Sequence, residues 1–289
     1  MFGKASSMTT AILTELQIQS FNQEGYLIIP DFYEGEDEIT PIQKAVYDII
    51  GIVAKKYSIK IDRPSFSPDT FDEGYLDVIK INRNYGGEIY DAVKQIPAFI
   101  RLVSSKKNEA IFKELRPNSF AGVAAAGYGL RINNPYEDKY RANWHQEYPS
   151  QLRSLDGLVF WSPLVRVTQE IGSVMICPGS HVEGAVPVYT HDPRNKEKQG
   201  AYSLVLQHEE ALIAKYNQIA PLSKPNDLIV MDFLVLHASG YNVGSRALWS
   251  MQFRFFNYLE TTGISNGWKG GFTSGVDFRT LHPELCVDL

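Results

Sequence analysis

The sequence predicts an α+β fold in which helices come first and an antiparallel β-core follows. Three observations predict it. Apolar residues recur at helical spacing through the first third of the chain. After Pro117, short apolar or alternating runs succeed one another between turn residues. No internal repeat or low-complexity segment separates the two halves, so the helices are expected to buttress one face of the β-core within a single domain.

The elements follow in order. Leu13, Leu16, Ile18 and Phe21 sit near helical spacing, Gly25 closes that helix, and a short strand occupies 26–29. Region 36–57 places Ile39, Ile42, Ala45, Val46, Ile49, Ile50 and Val53 on one stripe, an amphipathic helix. The Pro-, Ser- and Asp-rich stretch 62–71 is a loop, and further helices are expected over 89–104 and 107–115. Strands are expected over 120–124, 129–133, 142–148, 157–163, 173–177, 211–220, 227–236 and 248–258, a succession that suggests a closed or double-sheet antiparallel fold. The polar stretch 182–210, with HDPRNKEKQG inside it, interrupts them as a lid-like insertion. The whole chain, 1–289, thus reads as one domain, with a helical buttress over about 11–116 and a β-core over about 117–260.

Composition excludes several functions. A net charge of -5 argues against nucleic acid as the main partner, because phosphate binding needs a basic face. Two cysteines, Cys177 and Cys286, are too few for a disulfide framework and fit a reducing cytoplasm. The first ten residues read as a frayed tail with a second possible start at Met8, and the N-terminal region is not expected to be a signal peptide. No run approaches the roughly 20 apolar residues of a membrane span.

The chemistry concentrates around Asn143-Trp-His-Gln-Glu-Tyr148. If this stretch is a strand, His145 and Glu147 point to the same face and both reach one metal ion. A third ligand must come from elsewhere, and His237, closing the apolar run 227–236, is the natural candidate. Two imidazoles and one carboxylate on one side of a metal leave positions open for O2 and a cosubstrate, as in non-haem Fe(II) oxygenases.

Five segments, in order, extend this reading. They are 21–32 (FNQEGYLIIPDF), 144–147 (WHQE), 156–164 (DGLVFWSPL), 172–181 (GSVMICPGSH) and 225–246, which holds His237-Ala-Ser-Gly-Tyr-Asn242 and Arg246. Together they resemble the phytanoyl-CoA dioxygenase family of Fe(II)/2-oxoglutarate-dependent dioxygenases, over about residues 21 to 258. The resemblance implies a double-stranded β-helix (jelly-roll) core and a hydroxylase that uses Fe(II), 2-oxoglutarate and O2. It implies His145, Glu147 and His237 as metal ligands. It implies Arg246 as the partner of the far carboxylate of 2-oxoglutarate, with Arg254 the alternative, Ser239 and Ser245 assisting, and Asn133 touching the same cosubstrate. Arg suits that role because a planar guanidinium meets a carboxylate through two parallel hydrogen bonds. Glu147 departs from the family's usual Asp by one methylene.

His181 is expected to be a hydrogen-bonded turn residue, and His191, His208 and His282 carry no assigned role. Candidate wall residues are Tyr128, Trp144, Tyr148, Trp161, Tyr189 and Trp249. The polar lid favours a small polar metabolite such as a sugar or amino-acid derivative over an acyl-CoA. Two alternatives stay open: a non-catalytic small-molecule-binding protein on the same β-core, and a cupin-like isomerase or epimerase that needs no 2-oxoglutarate.

Overall fold

A computed structural model describes residues 11–192, 204–271 and 276–287. The expected frayed tail at 1–10 and the middle of the expected lid, 193–203, lie outside them.

The first helix, α1 (Glu15–Glu24), opens on a capping box: Thr14 and Gln17 satisfy each other's backbone N–H groups. It closes at Gly25, whose φ of 74° is left-handed and favours glycine there. Strand β1 (Tyr26–Ile29) follows directly. A π-helical turn, Gly35–Ile39, feeds α2 (Thr40–Lys56), whose buried stripe is Ile42, Val46, Ile50 and Val53, as its spacing predicts. Helix α3 (Tyr75–Ile81) was not legible in the sequence. The single helix expected over 89–104 is two: α4 (Arg83–Val93) and α5 (Pro97–Val103). Pro97 forces the break, because it disfavours helical geometry at Ile96 and tolerates only a first-turn position. Helix α6 (Lys106–Leu115) completes the buttress.

The β-core then runs β2 (Ala121–Val123), β3 (Gly129–Asn133), a one-turn helix α7 (Tyr148–Gln151), β4 (Leu158–Pro163), β5 (Val174–Ile176), β6 (Val188–Tyr189), β7 (Val205–Leu206), a short helix α8 (Glu209–Ile213), β8 (Leu228–Asp232), β9 (His237–Ser239) and β10 (Leu248–Asn257). Short helices α9 (Thr261–Asn266) and α10 (Phe278–Leu281) and strand β11 (Cys286–Val287) end the described chain.

Six strands form the larger sheet, in the order β1-β8-β4-β10-β2 with β3 also on β10. Facing it are the pair β5-β9 and two isolated bridges that widen it, His145 to His237 and Ile176 to Ile219. This is the double-stranded β-helix that the motifs implied. Alternation along β10 sets the two faces of the larger sheet. Trp249, Met251, Phe253 and Phe255 are buried toward the helices, with Trp249 edge-on to Phe71 and Tyr75 and Phe255 beside Phe112. Leu248, Ser250, Gln252 and Arg254 face the interior of the β-core. Phe160 of β4 stacks on Phe253 at 5.1 Å, so β4 is buried on both faces.

Three expectations are corrected. Region 211–220 begins with α8 instead of a strand. The lid 182–210 is not simply a loop: β6 and β7 pair within it, and β11 joins them from the C-terminus. The apolar run 227–236 does not carry one strand up to His237. It leaves the larger sheet after Asp232, whose side chain accepts from Leu234 N at 2.7 Å, and re-enters the opposite sheet at His237. An Asp bonding two residues ahead favours a turn over strand continuation.

Among the described residues, no helix is long and apolar enough to cross a membrane.

Candidate metal centre

The structure brings His145, Glu147 and His237 together, with one donor atom of each within 4.8 Å of the others. The route differs from the expected strand alternation. His145 joins the smaller sheet through a single bridge, its N–H and C=O each bonded to His237 at 3.0 Å. That pairing puts the two imidazoles side by side, ring centroids 4.2 Å apart. Two residues on, the chain is already helical: Glu147 has φ -73° and ψ -34° and stands at the N-cap of α7, and Pro149 fits the first turn. Its backbone N–H is tied to Phe233 O at 2.8 Å.

Both imidazoles are oriented by backbone carbonyls. His145 Nδ1 lies 2.7 Å from Asn143 O, and His237 Nδ1 lies 3.0 Å from Val235 O. A carbonyl only accepts, so each Nδ1 carries the proton and each Nε2 presents a lone pair. Those Nε2 atoms face Glu147 Oε2, at 3.9 Å from His145 and 3.6 Å from His237. Desolvation in the enclosed site, with His237 adjacent, pushes the His145 pKa down to about 3, which keeps the ring neutral.

The carboxylate of Glu147 is equally fixed. Arg254 donates to Oε1 from Nε at 3.0 Å and to Oε2 from Nη2 at 3.3 Å. Oε1 also accepts from Gln151 Nε2 at 3.1 Å and Ser150 Oγ at 3.2 Å. Burial alone would raise the Glu147 pKa, but the charge of Arg254 outweighs it and the group is held well below the usual carboxylate range. Oε1 is thus saturated by protein donors and Oε2 faces the imidazoles. Two imidazoles presenting Nε2 and one ionised carboxylate, each held by a further hydrogen bond, fit a divalent iron ion.

The triad lines a cavity of about 390 Å³. Asn133, Ser239, Tyr128, Trp144 and Trp161 line it too, whereas Ser245 lies at a surface groove near Tyr136. Tyr189, Tyr148 and Trp249 are not among the lining residues; Tyr148 bonds His282, and Trp249 belongs to the helix-facing core. His181 is a turn residue, its Nε2 3.1 Å from Asn22 O.

Arg246 stands apart from the other expected site residues. It is not part of the cavity lining. Its guanidinium lies on the carboxylate of Asp72, with Nε at 3.1 and 3.2 Å and Nη2 at 2.7 Å, and also donates to Asp69 O. It precedes the first residue of β10, so the inward alternation does not govern it. Two residues that the motif reading passed over have places here. Gln146 is buried and uses its whole amide: Nε2 donates to Gly184 O and Leu234 O at 2.7 Å each, and Oε1 accepts from Val186 N at 2.9 Å. Arg131 lines the cavity from β3, opposite Ser250 of β10.

The chain belongs to the phytanoyl-CoA dioxygenase family, whose model matches residues 21–247. A comparison with curated protein sequences gives no match. Among solved structures, EctD from S. alaskensis, crystallised with 2-oxoglutarate and 5-hydroxyectoine, is 17% identical, with 86% of this chain and 78% of that one covered and a TM-score of 0.57. The epimerase SnoN, in complex with Fe3+, alpha ketoglutarate and nogalamycin RO, is 14% identical over 87% of this chain and 88% of its own, with a TM-score of 0.53. The alpha ketoglutarate dependent carbocyclase SnoK from nogalamycin biosynthesis is 13% identical over 90% and 92%, with a TM-score of 0.54. These likenesses show a shared fold.

Proposed function

We propose that this protein is an Fe(II)/2-oxoglutarate-dependent oxygenase that hydroxylates an unactivated C–H bond of a small polar metabolite. The observation that supports it most is the converging of His145 Nε2, His237 Nε2 and Glu147 Oε2, with both Nδ1 protons held on backbone carbonyls. When bound, iron supplies the O2 chemistry by which 2-oxoglutarate is converted to succinate and CO2 and one oxygen atom enters the substrate C–H bond.

The chain's own residues do the rest. His145 and His237 offer their Nε2 atoms as nitrogen donors, each ring held through Nδ1 by a backbone carbonyl. Glu147 offers one oxygen while Arg254, Gln151 and Ser150 hold the other. Val159, Trp161, Val174 and Met231 give the cavity apolar walls that limit water. Its volume sits toward the lower end of small-molecule sites and favours a compact metabolite over an acyl-CoA.

The test is anaerobic addition of Fe(II) and 2-oxoglutarate. A weak visible charge-transfer band is expected, and it should vanish in His145→Ala while the protein stays folded. Succinate release coupled to loss of a candidate metabolite then identifies the substrate. Absence of the band at saturating ligand would favour a non-catalytic binding protein, and turnover without succinate would favour a cupin-like isomerase.

A further inference from the structure

Residues 276–287 lie beyond 21–247, the part of the chain that matches the family, and they pack against the turn next to Glu147. We propose that His282, in this C-terminal segment, is a positioning residue for the metal-binding carboxylate: it holds Tyr148, the first residue of α7, and through it fixes Glu147. The inference rests on the metal reading of the triad above.

Helix α7 has four residues, too few to hold its shape without tertiary contacts. Its N-terminal end hangs on one carbonyl, since Glu147 N and Tyr148 N both donate to Phe233 O, at 2.8 and 3.2 Å. Ser150 and Gln151, which bond Glu147 Oε1, belong to the same turn, so a rotation of α7 moves the carboxylate and two of its donors together. Tyr148 supplies a second fixed point. Its side chain is fully buried, edge-on to Phe278 with ring centroids 6.3 Å apart. A buried phenol hydroxyl needs a partner, and this one has His282 Nε2 at 2.5 Å. The other ring nitrogen, Nδ1, lies 3.1 Å from Glu284 Oε1. An ionised carboxylate only accepts, so Nδ1–H is directed there and Nε2 is left for Tyr148.

A positioning residue must itself be held, and the segment around His282 is. Asp277 caps α10 by accepting from Arg279 N at 3.0 Å. Arg279 Nη2 donates to Thr190 Oγ1 at 3.2 Å, and β11 runs parallel to β6 with Cys286 opposite Val188. Val276 N donates to Gly271 O at 3.0 Å, and Gly271 N donates to Gln151 O at 3.2 Å, at the far end of α7. The C-terminal segment thus joins β6 to both ends of the turn that follows Glu147.

The experiment follows Co(II) binding by visible absorption, a readout that needs no turnover. His282→Phe keeps a ring against Phe278 and removes both hydrogen bonds. It should weaken Co(II) binding by about tenfold, the lower end for groups that orient a metal ligand. Its ligand-field bands should also change, because the carboxylate no longer has one orientation. Tyr148→Phe should do the same, and it decides the matter if His282→Phe does not fold. His282→Gln, whose amide can bond the Tyr148 hydroxyl, should recover most of the affinity. Val53→Ala, in the buried stripe of α2, is the control. It loses stability without touching α7 and should bind Co(II) as the wild type does. A merely structural role would lower stability in the same way and leave affinity and spectrum unchanged. That result in the Phe variants overturns the inference, as does an equal loss of affinity in Val53→Ala or no recovery in His282→Gln. A wild type that binds no Co(II) overturns the metal reading as well.

Discussion

Arg254 lays its guanidinium along the carboxylate of Glu147, Nε to Oε1 at 3.0 Å and Nη2 to Oε2 at 3.3 Å. This fork explains how a Glu serves where the family usually has Asp. The extra methylene carries the carboxylate further from the backbone, and Arg254, reaching in from β10, holds it there. Arg254→Met leaves a buried carboxylate with only Ser150 and Gln151 as donors. The metal-free variant is therefore expected to lose about 3 kcal/mol of stability, the lower end for breaking a buried pair, because Arg254 is partly exposed. A dication would supply the missing positive charge, so Co(II) should raise the stability of the variant more than that of the wild type. Urea unfolding with and without Co(II) measures both. Equal metal-free stabilities would refute the clamp.

Gln146 stands between His145 and Glu147, and its side-chain amide is taken up by backbone groups. Its amide joins three segments by bonding Leu234 O, Gly184 O and Val186 N, so it ties the loop before His237 to the base of the lid. Gln146→Leu keeps the bulk and leaves one buried N–H and two carbonyls short of a partner. A loss of at least about 2 kcal/mol is expected. Backbone amide exchange over 184–188 should speed up while α2 keeps its protection. Unchanged exchange there would mean that the lid base is held by other contacts.

The difference between what was and was not legible in the sequence is physical. His145 and His237 were legible because the chemistry needs those side chains within short motifs. Their closeness was also legible, but the stated reason was not: convergence comes from a bridge to β9 and the start of α7, not from alternation along one strand. The pairing of Arg246 was not legible, because spacing from His237 does not reveal where β10 begins. Its partner Asp72 lies 174 residues away, just past the stretch 62–71 that reads as a loop. The amphipathic stripe of α2 was legible because it depends only on local periodicity. Helix α3 was not, since Gly74 opens it without a side-chain cap and it has only seven residues. Gln146 reads as a spacer, because nothing local announces three backbone partners, the nearest 38 residues away.

Alternation along β10 makes the last prediction. Trp249 was a candidate cavity wall, yet it is fully buried on the helix side, edge-on to Phe71 and Tyr75, and its indole N–H has no hydrogen-bond partner. Trp249→Ala should therefore cost about 3–5 kcal/mol, as for other large core truncations. Trp249→Phe keeps most of the ring and removes the unpaired donor, so its cost should stay below about 1.5 kcal/mol. Neither change touches the cavity, and the Phe variant should bind Fe(II) and 2-oxoglutarate as the wild type does. Gln252→Ala lies three residues on, on the opposite face. It removes an acceptor of Arg254 at 3.2 Å, and should cost only about 1 kcal/mol in stability while altering 2-oxoacid or metal binding. Thermal unfolding paired with ligand titration separates the two faces. A Trp249→Phe variant that loses cosubstrate while keeping its stability would place the indole in the cavity and reverse the assignment of the β10 faces.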